Sequence, residues 1–155
     1  MDWSTLTLSE WFGLSAAEWN ALSLGNVSTS ITPIQDITVA GWTPIPLHEQ
    51  LADLADNTYI KSPSNPNDEE CDVKFGQIPS PGNLTISYRY RGTTTGMRLT
   101  VSLHQGTNST PIHQEIISNA SVNWTTGSFE VTPDEAGNIT DYTDLHIRFK
   151  AMLNP

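Results

Sequence analysis

L-T-I-S-Y-R-Y-R at residues 84–91 and M-R-L-T-V-S-L-H-Q at residues 97–105 decide the fold of this 155-residue chain. Both segments alternate apolar and polar side chains with a period of two, which is the pattern of a β-strand with one buried and one solvent-facing side. The five residues between them, G-T-T-T-G, have the length and composition of a hairpin loop. We therefore predict a β-hairpin over residues 84–105 as the starting point of a β-protein.

Shorter segments of the same kind lie on both sides of this pair. Turn-forming residues separate them at intervals of about 8–12 residues, which is typical of β-sandwiches. Pro44 and Pro46 restrict the first segment to a sheet edge, because proline cannot donate a backbone hydrogen bond. The further predicted strands are residues 42–47, 56–62, 71–75, 111–117, 127–132 and 144–152. We predict an all-β fold over residues 41–155: a jelly-roll-like antiparallel β-sandwich of about eight strands.

The polar phase of these strands contains most of the histidines. His104 and His146 lie on it, and we expect His113 to do so too, so all three are expected at the surface. In the last strand Leu145, Ile147 and Phe149 are expected to face inward. T-P-D-E-A-G-N at residues 132–138 predicts one helical turn between strands.

Motifs of catalysis are absent from the sequence. The four histidines lack metal-ligand spacing, and no nucleophile or phosphate-binding motif occurs. The single cysteine, Cys71, lies among acidic residues that disfavour a reactive thiolate, so we expect it to be structural. We predict a non-enzymatic protein with no catalytic residue, cofactor or metal centre. One alternative stays open, because the loop at residues 65–72 is rich in the oxygen ligands that Ca²⁺ prefers.

Residues 1–25 differ from the rest of the chain, because they contain an eight-residue motif twice in tandem. T-L-S-E-W-F-G-L and S-A-A-E-W-N-A-L each start with a helix-capping residue and have a glutamate three positions later, the spacing of a capping box. Two short helices are therefore predicted, and helices this short are not stable alone in water. Their apolar side chains need a surface to pack against: Trp3, Leu6, Trp11, Phe12, Leu14, Trp19 and Leu22.

That surface is either the β-body of the same chain or a neighbouring protein. Both alternatives stay open, and docking on a neighbour is our leading interpretation. Residues 1–25 are then a helical interaction arm. Residues 26–40 are rich in Ser and Thr with spaced Ile and Val, which predicts an extended linker that can add an edge strand.

The charge distribution excludes several classes of partner. The chain has a formal net charge of −10, and its first basic residue is Lys61. Nucleic-acid binding is not expected, because it needs clustered cations. No apolar segment is long enough to span a membrane, and the N-terminus lacks the basic start of a signal peptide. We expect a soluble protein that is made in a cytoplasm.

Two tryptophans are candidates for a sugar-binding platform. Trp42 and Trp124 both belong to the β-body, and Trp124 lies in the turn-like stretch S-V-N-W-T-T-G, which predicts partial exposure. Burial under the rim of the sandwich is the competing interpretation. Trp124 is therefore kept as a possible glycan contact.

Four segments resemble a jelly-roll-like domain that recurs in structural proteins of tailed bacteriophages. They are D-N-T-Y-I-K-S (56–62), I-S-Y-R-Y-R (86–91), L-T-V-S-L-H-Q-G (99–106) and I-T-D-Y-T-D-L-H-I-R-F (139–149). The resemblance covers residues 40–152 and implies a structural role in the virion, without catalytic residues. The arm lies outside it and looks like an addition for a particular partner.

The leading hypothesis is therefore a capsid decoration (cement) protein. It would stabilise the head by bridging neighbouring subunits, with the major capsid protein and copies of itself as partners, and we expect a homotrimer on the virion surface. One alternative is a tail or fibre module that binds host carbohydrate. Another is a tail or connector component that the arm anchors to a ring.

Overall fold

The fold is an all-β sandwich in which every pair of neighbouring strands is antiparallel. The computed structural model describes residues 30–52, 55–79, 84–94 and 96–153. In these residues the elements follow one another as β1 Pro33–Thr38, α1 Leu47–Gln50, β2 Glu69–Phe75, β3 Thr85–Tyr90, β4 Met97–Gln105, β5 His113–Ile117, β6 Thr125–Glu130, α2 Pro133–Ala136 and β7 Leu145–Leu153. The predicted arm, residues 1–25, lies outside the described residues.

Two sheets of unequal size enclose the core. The larger has five strands in the order β1-β2-β7-β4-β5, and the smaller pairs β3 with β6. The segment predicted as an extended linker supplies β1, which lies at one edge of the larger sheet; β5 lies at the other. The prediction of an antiparallel sandwich is confirmed. The jelly-roll connectivity stays a prediction.

The predicted hairpin over residues 84–105 is wrong. Its two strands are correct, as β3 and β4, but β3 pairs with β6, whereas β4 pairs with β5 and β7. The loop between them crosses from one sheet to the other. The error has a physical cause: alternation fixes which side of a strand is buried, and two strands that face one core from opposite sheets have the same alternation as a hairpin.

Gly127 leaves room for a large ring in the pairing of β3 with β6. It lies directly opposite Tyr88 in this pair. A Cβ atom built at Gly127 would lie 2.6 Å from the Tyr88 ring, so only glycine leaves room for the ring. Tyr88 also contacts the rings of Tyr90 and Phe129, which belong to the same small sheet.

Two predicted strands are replaced by irregular backbone. Between residues 42–47 and 56–62 the structure forms one isolated bridge, in which Thr43 and Lys61 exchange backbone hydrogen bonds of 2.9 and 2.7 Å. Pro44 and Pro46 lack the N–H groups that a longer ladder would need, so the pairing cannot extend. The chain instead forms α1, where Leu47 is fully buried.

The remaining elements agree with their predictions in type. The predicted helical turn is α2, whose N-cap Thr132 forms a complete capping box with Glu135. In β7, Leu145 and Ile147 are buried as expected, and Phe149 packs partly buried against the same core. Cys71 is fully buried, and burial raises the pKa of its thiol well above the ordinary value. A structural role for Cys71 fits this environment.

The three histidines expected at the surface are not exposed, and this prediction is wrong. His104 is 2% exposed and His146 is 4% exposed. Both lie in the middle of the five-stranded sheet, so neighbouring strands flank them on both sides. The loop after β4 also folds back, and the Asn108 carbonyl lies 3.1 Å from His104 Nδ1. His113 is half-buried, because its ring stacks on Phe129 and its Nδ1 lies 2.8 Å from Glu135 Oε1.

Candidate functional site

A cleft between the two sheets is lined by side chains from both of them. It has a volume of about 450 Å³. Its inner wall is apolar and comes from both sheets; the side chains include Phe75, Leu99, Ile147 and Phe149 on one side, and Ile86, Tyr88 and Tyr90 on the other. A volume of this size lies in the range of about 300–1,000 Å³ that is usual for small-molecule sites.

Three side chains from separate loops meet at the rim of this cleft. The rings of Tyr59 and Trp124 form an edge-to-face pair, with centroids 5.6 Å apart and planes inclined by 68°. The Arg91 guanidinium carbon lies 4.9 Å from the Trp124 centroid and 5.5 Å from that of Tyr59. Arg91 is exposed and Trp124 is half-buried. We call this group the aromatic rim: Tyr59, Arg91 and Trp124.

Trp42 does not belong to the platform proposed for it. It is 6% exposed and packs in the core, which agrees with burial, the competing interpretation of the sequence. Tyr59 is the partner of Trp124 instead. The sequence predicts a strand at Tyr59. The structure has a turn just before it, closed by a hydrogen bond from Thr58 N to the Ala55 carbonyl, and the Tyr59 side chain is exposed. Trp42 nevertheless lines the cleft, and its Nε1 has no acceptor among the described residues.

The cations around the cleft differ in their partners. Arg89 is paired with Asp56 through two hydrogen bonds, of 2.8 Å from Nε and 3.0 Å from Nη2. Among the described residues, no carboxylate lies within 4.0 Å of Lys61, Arg91 or Arg98. All three contribute to the lining of the cleft. The cleft therefore combines an apolar wall, an aromatic rim and three cations that have no carboxylate partner in the described part of the chain.

A buried polar layer lies on the other face of the five-stranded sheet. Arg148 donates to Asp72 at 2.7 Å from Nε and 3.2 Å from Nη2, and Thr38 donates to the same carboxylate at 2.8 Å. Burial alone would raise the pKa of Asp72, but these hydrogen bonds outweigh burial and hold the pKa below its ordinary value. The Asp72 bonds to Arg148 also raise the pKa of that guanidinium. This arrangement ties β1, β2 and β7 together.

His104 and His146 extend the polar layer toward β4. Their rings stack with centroids 5.4 Å apart, and His104 Nε2 lies 3.0 Å from Ser102 Oγ. Burial lowers the pKa of both histidines; for His146 the Asp72 carboxylate opposes that shift from 3.9 Å. The layer therefore holds two neutral imidazoles beside one ion pair.

The loop considered for Ca²⁺ has its acidic side chains engaged elsewhere. Lys150 Nζ lies 3.4 Å from Asp68 and 3.2 Å from Glu70, while Arg148 reaches Glu70 at 3.4 Å. Within the described ranges, no group of three or more His, Cys, Asp or Glu side chains is arranged to hold a metal ion. None of the helices described there is long and apolar enough to cross a membrane.

Both edges of the five-stranded sheet expose isoleucine. On β1, Ile34 is 59% exposed and Ile37 is 47% exposed; on β5, Ile116 is 56% exposed. We call these two strips the β1 edge and the β5 edge. The residues expected to dock the arm, Trp3, Leu6, Trp11, Phe12, Leu14, Trp19 and Leu22, lie outside the described residues.

Comparison of the chain with protein-family models, with curated proteins and with solved structures finds no match. The function therefore has to be argued from the geometry of the β-body and from the sequence.

Proposed function

We propose that this protein is a non-enzymatic structural component of a tailed-phage virion, and specifically a decoration protein that stabilises the head. The observation that carries the proposal is the exposure of isoleucine at both opposite edges of one sheet. Large aliphatic side chains on exposed strands favour association, because their burial removes apolar surface from water. An assembly protein needs such edges.

The two edges differ, which decides how copies would meet. β1 is irregular, with register shifts on either side of its pairing with Lys74 and Val73. Such bulges hinder the addition of another strand. We therefore expect the β1 edge to contact a neighbour through its side chains rather than through backbone hydrogen bonds. The β5 edge pairs in continuous register with β4. We propose that the β5 edge of one copy contacts the β1 edge of the next through isoleucine side chains.

Contacts between two unlike surfaces generate a ring when the rotation closes. A closed ring of three copies is the homotrimer of the decoration-protein hypothesis, and it suits a threefold position on a capsid. The arm at residues 1–25 would then dock each copy on a neighbouring capsid subunit. Three arms on one ring bind with a combined strength that exceeds that of one arm, because later contacts are intramolecular.

Charge substitutions at the two edges test this proposal. Ile116→Asp and Ile37→Asp should each convert the assembled form to monomer, because a carboxylate cannot be buried without a partner. Light scattering after gel filtration measures the mass. Ser128→Asp is the matched control, because Ser128 is exposed on β6, away from both edges, and should leave the mass unchanged. A wild-type protein that is monomeric at high micromolar concentration would contradict edge-to-edge assembly.

A further inference from the structure

Three basic side chains without a carboxylate partner in the described residues line one cleft of a strongly acidic chain. The protein has seven Lys and Arg residues against seventeen Asp and Glu. Four of the seven cations have a carboxylate partner: Lys74, Arg89, Arg148 and Lys150. The three without one in the described residues are Lys61, Arg91 and Arg98, and all three line the cleft. Asp56, which also lines the cleft, is paired with Arg89, so within the described residues these three cations have no carboxylate partner of their own.

The aromatic rim indicates which kind of ligand the cleft could bind. Tyr59 and Trp124 present amphipathic rings, which pack against flat, partly apolar ligands and keep a polar edge in water. Arg91 lies over both rings, so its guanidinium is held beside the same surface. A planar guanidinium can bind a carboxylate through two parallel hydrogen bonds. A ligand that stacks on the rim would therefore bring an acidic group directly to Arg91.

Behind the rim, Trp42 adds a hydrogen-bond donor. Its Nε1 is buried and lacks an acceptor in the described part of the chain, and the residue lines the cleft. A buried donor without a partner is unfavourable by about 1–3 kcal/mol. An oxygen-rich ligand that enters the cleft offers an acceptor for such a group.

We propose that the cleft binds an acidic sugar, a pyranose with a carboxylate, packed against one ring of the aromatic rim with its carboxylate at Arg91. This inference goes beyond the assembly role, because it uses the cleft and neither sheet edge. A sugar ring meets the aromatic rim, its hydroxyl groups meet the polar lining, and its single charge meets the unpaired cations. A polyanionic strand of nucleic acid fits less well, because the net charge of −10 repels it at long range.

Titration calorimetry on the full chain tests the proposal with four probes. N-acetylneuraminic acid and glucuronic acid are the acidic sugars, N-acetylmannosamine is the neutral one, and a short oligothymidylate represents single-stranded nucleic acid. We expect one of the acidic sugars to bind at least tenfold more tightly than the neutral sugar, and added salt to weaken it. Equal affinity for the neutral sugar, no saturable binding of either acid, or tighter binding of the oligonucleotide would overturn the proposal.

Matched variants assign the binding to the cleft. Arg91→Met keeps the aliphatic stem of an exposed residue and should weaken the acidic sugar at least tenfold. Lys150→Met removes one cation outside the cleft and should leave the affinity unchanged. Trp124→Phe keeps an aromatic ring at this position, so it tests how much the packing of the sugar on the indole contributes to binding without leaving a cavity. Equal losses in Arg91→Met and Lys150→Met would show a general charge effect and overturn the assignment, whatever the outcome for assembly.

Discussion

Gly127 and Tyr88 are a pair of opposite residues in which only glycine leaves room for its partner. The Tyr88 ring occupies the space that a side chain at position 127 would need, and burial raises the pKa of its hydroxyl to about 12. The alternation of β3 is readable in the sequence, but this contact is not, because it joins residues almost 40 positions apart. Sequence patterns report the environment of a side chain more directly than its partner.

Gly127→Ala should destabilise the fold by about 1–3 kcal/mol, because the new methyl group forces the Tyr88 ring out of its position. Chemical unfolding followed by tryptophan fluorescence measures the change. Gly137→Ala is the matched control, since Gly137 has helical geometry with φ −62° and ordinary room for a Cβ. It should be neutral or stabilising by up to about 1 kcal/mol. Equal effects at the two positions would contradict this role for Gly127.

The stacked histidines predict a loss of stability in mild acid. Burial lowers the pKa of His104 and His146 in the folded protein, so the unfolded chain binds more protons once the pH falls below about 6.5. The free energy of unfolding should therefore decrease from about pH 6.5 downward, until the folded histidines also take up protons. Urea unfolding at a series of pH values measures this. His146→Gln should make the decrease shallower, and an unchanged slope would contradict the account.

Asp72 predicts a second, separate loss at lower pH. Its folded pKa lies below the ordinary value, so its stabilising effect is present above about pH 4, the range of an unfolded aspartate, and is lost as the pH falls through the folded pKa. Asp72→Asn should make this loss smaller, because Asp36, Glu135 and Asp141 also have lowered pKa values, and it should destabilise at neutral pH, because Arg148 loses its partner. A full acid transition in Asp72→Asn would assign it to other carboxylates.

At the scale of elements, strand existence was more predictable than strand pairing. β2, β5, β6 and β7 all fall where the sequence predicts strands, because alternation and turn residues are local signals. The segments with Pro44, Pro46 and Tyr59 fail as strands, since missing donors and a local turn outweigh their β-forming side chains. The buried histidines were missed because polar residues normally indicate a solvated face. Here that face carries its own hydrogen-bonded layer.

α2 is the element whose sequence signal is complete. Thr132 caps it: its side chain accepts from Glu135 N, and the Glu135 carboxylate accepts from the Thr132 backbone N–H. Thr132→Ala should cost about 1 kcal/mol, because the capping bond from Glu135 N and the Thr132 Oγ1 bond to Glu135 are both lost. The same unfolding measurement checks this, with Thr107→Ala, in an exposed loop, as the control. A neutral Thr132→Ala variant would mean that tertiary contacts alone hold α2.

At the scale of the whole molecule, the fold class follows from the sequence and the candidate site does so only in part. The turn-like context of Trp124 predicts its place at the surface. Its contacts with Tyr59 and Arg91 are not predictable in this way, because they join loops that are distant in sequence. The proposed assembly assigns separate surfaces to separate tasks: sheet edges for neighbouring copies, the arm for the capsid and the cleft for a small ligand.

Electron cryomicroscopy of phage heads incubated with the full-length protein tests the central proposal most directly. The account predicts density for a ring of three β-bodies on the outer surface of the head, at its threefold positions. Trp11→Ala combined with Trp19→Ala in the full chain should reduce occupancy by at least a hundredfold, because each buried tryptophan contributes about 3–5 kcal/mol. Bare heads with wild-type protein, or density confined to the tail, would contradict the account.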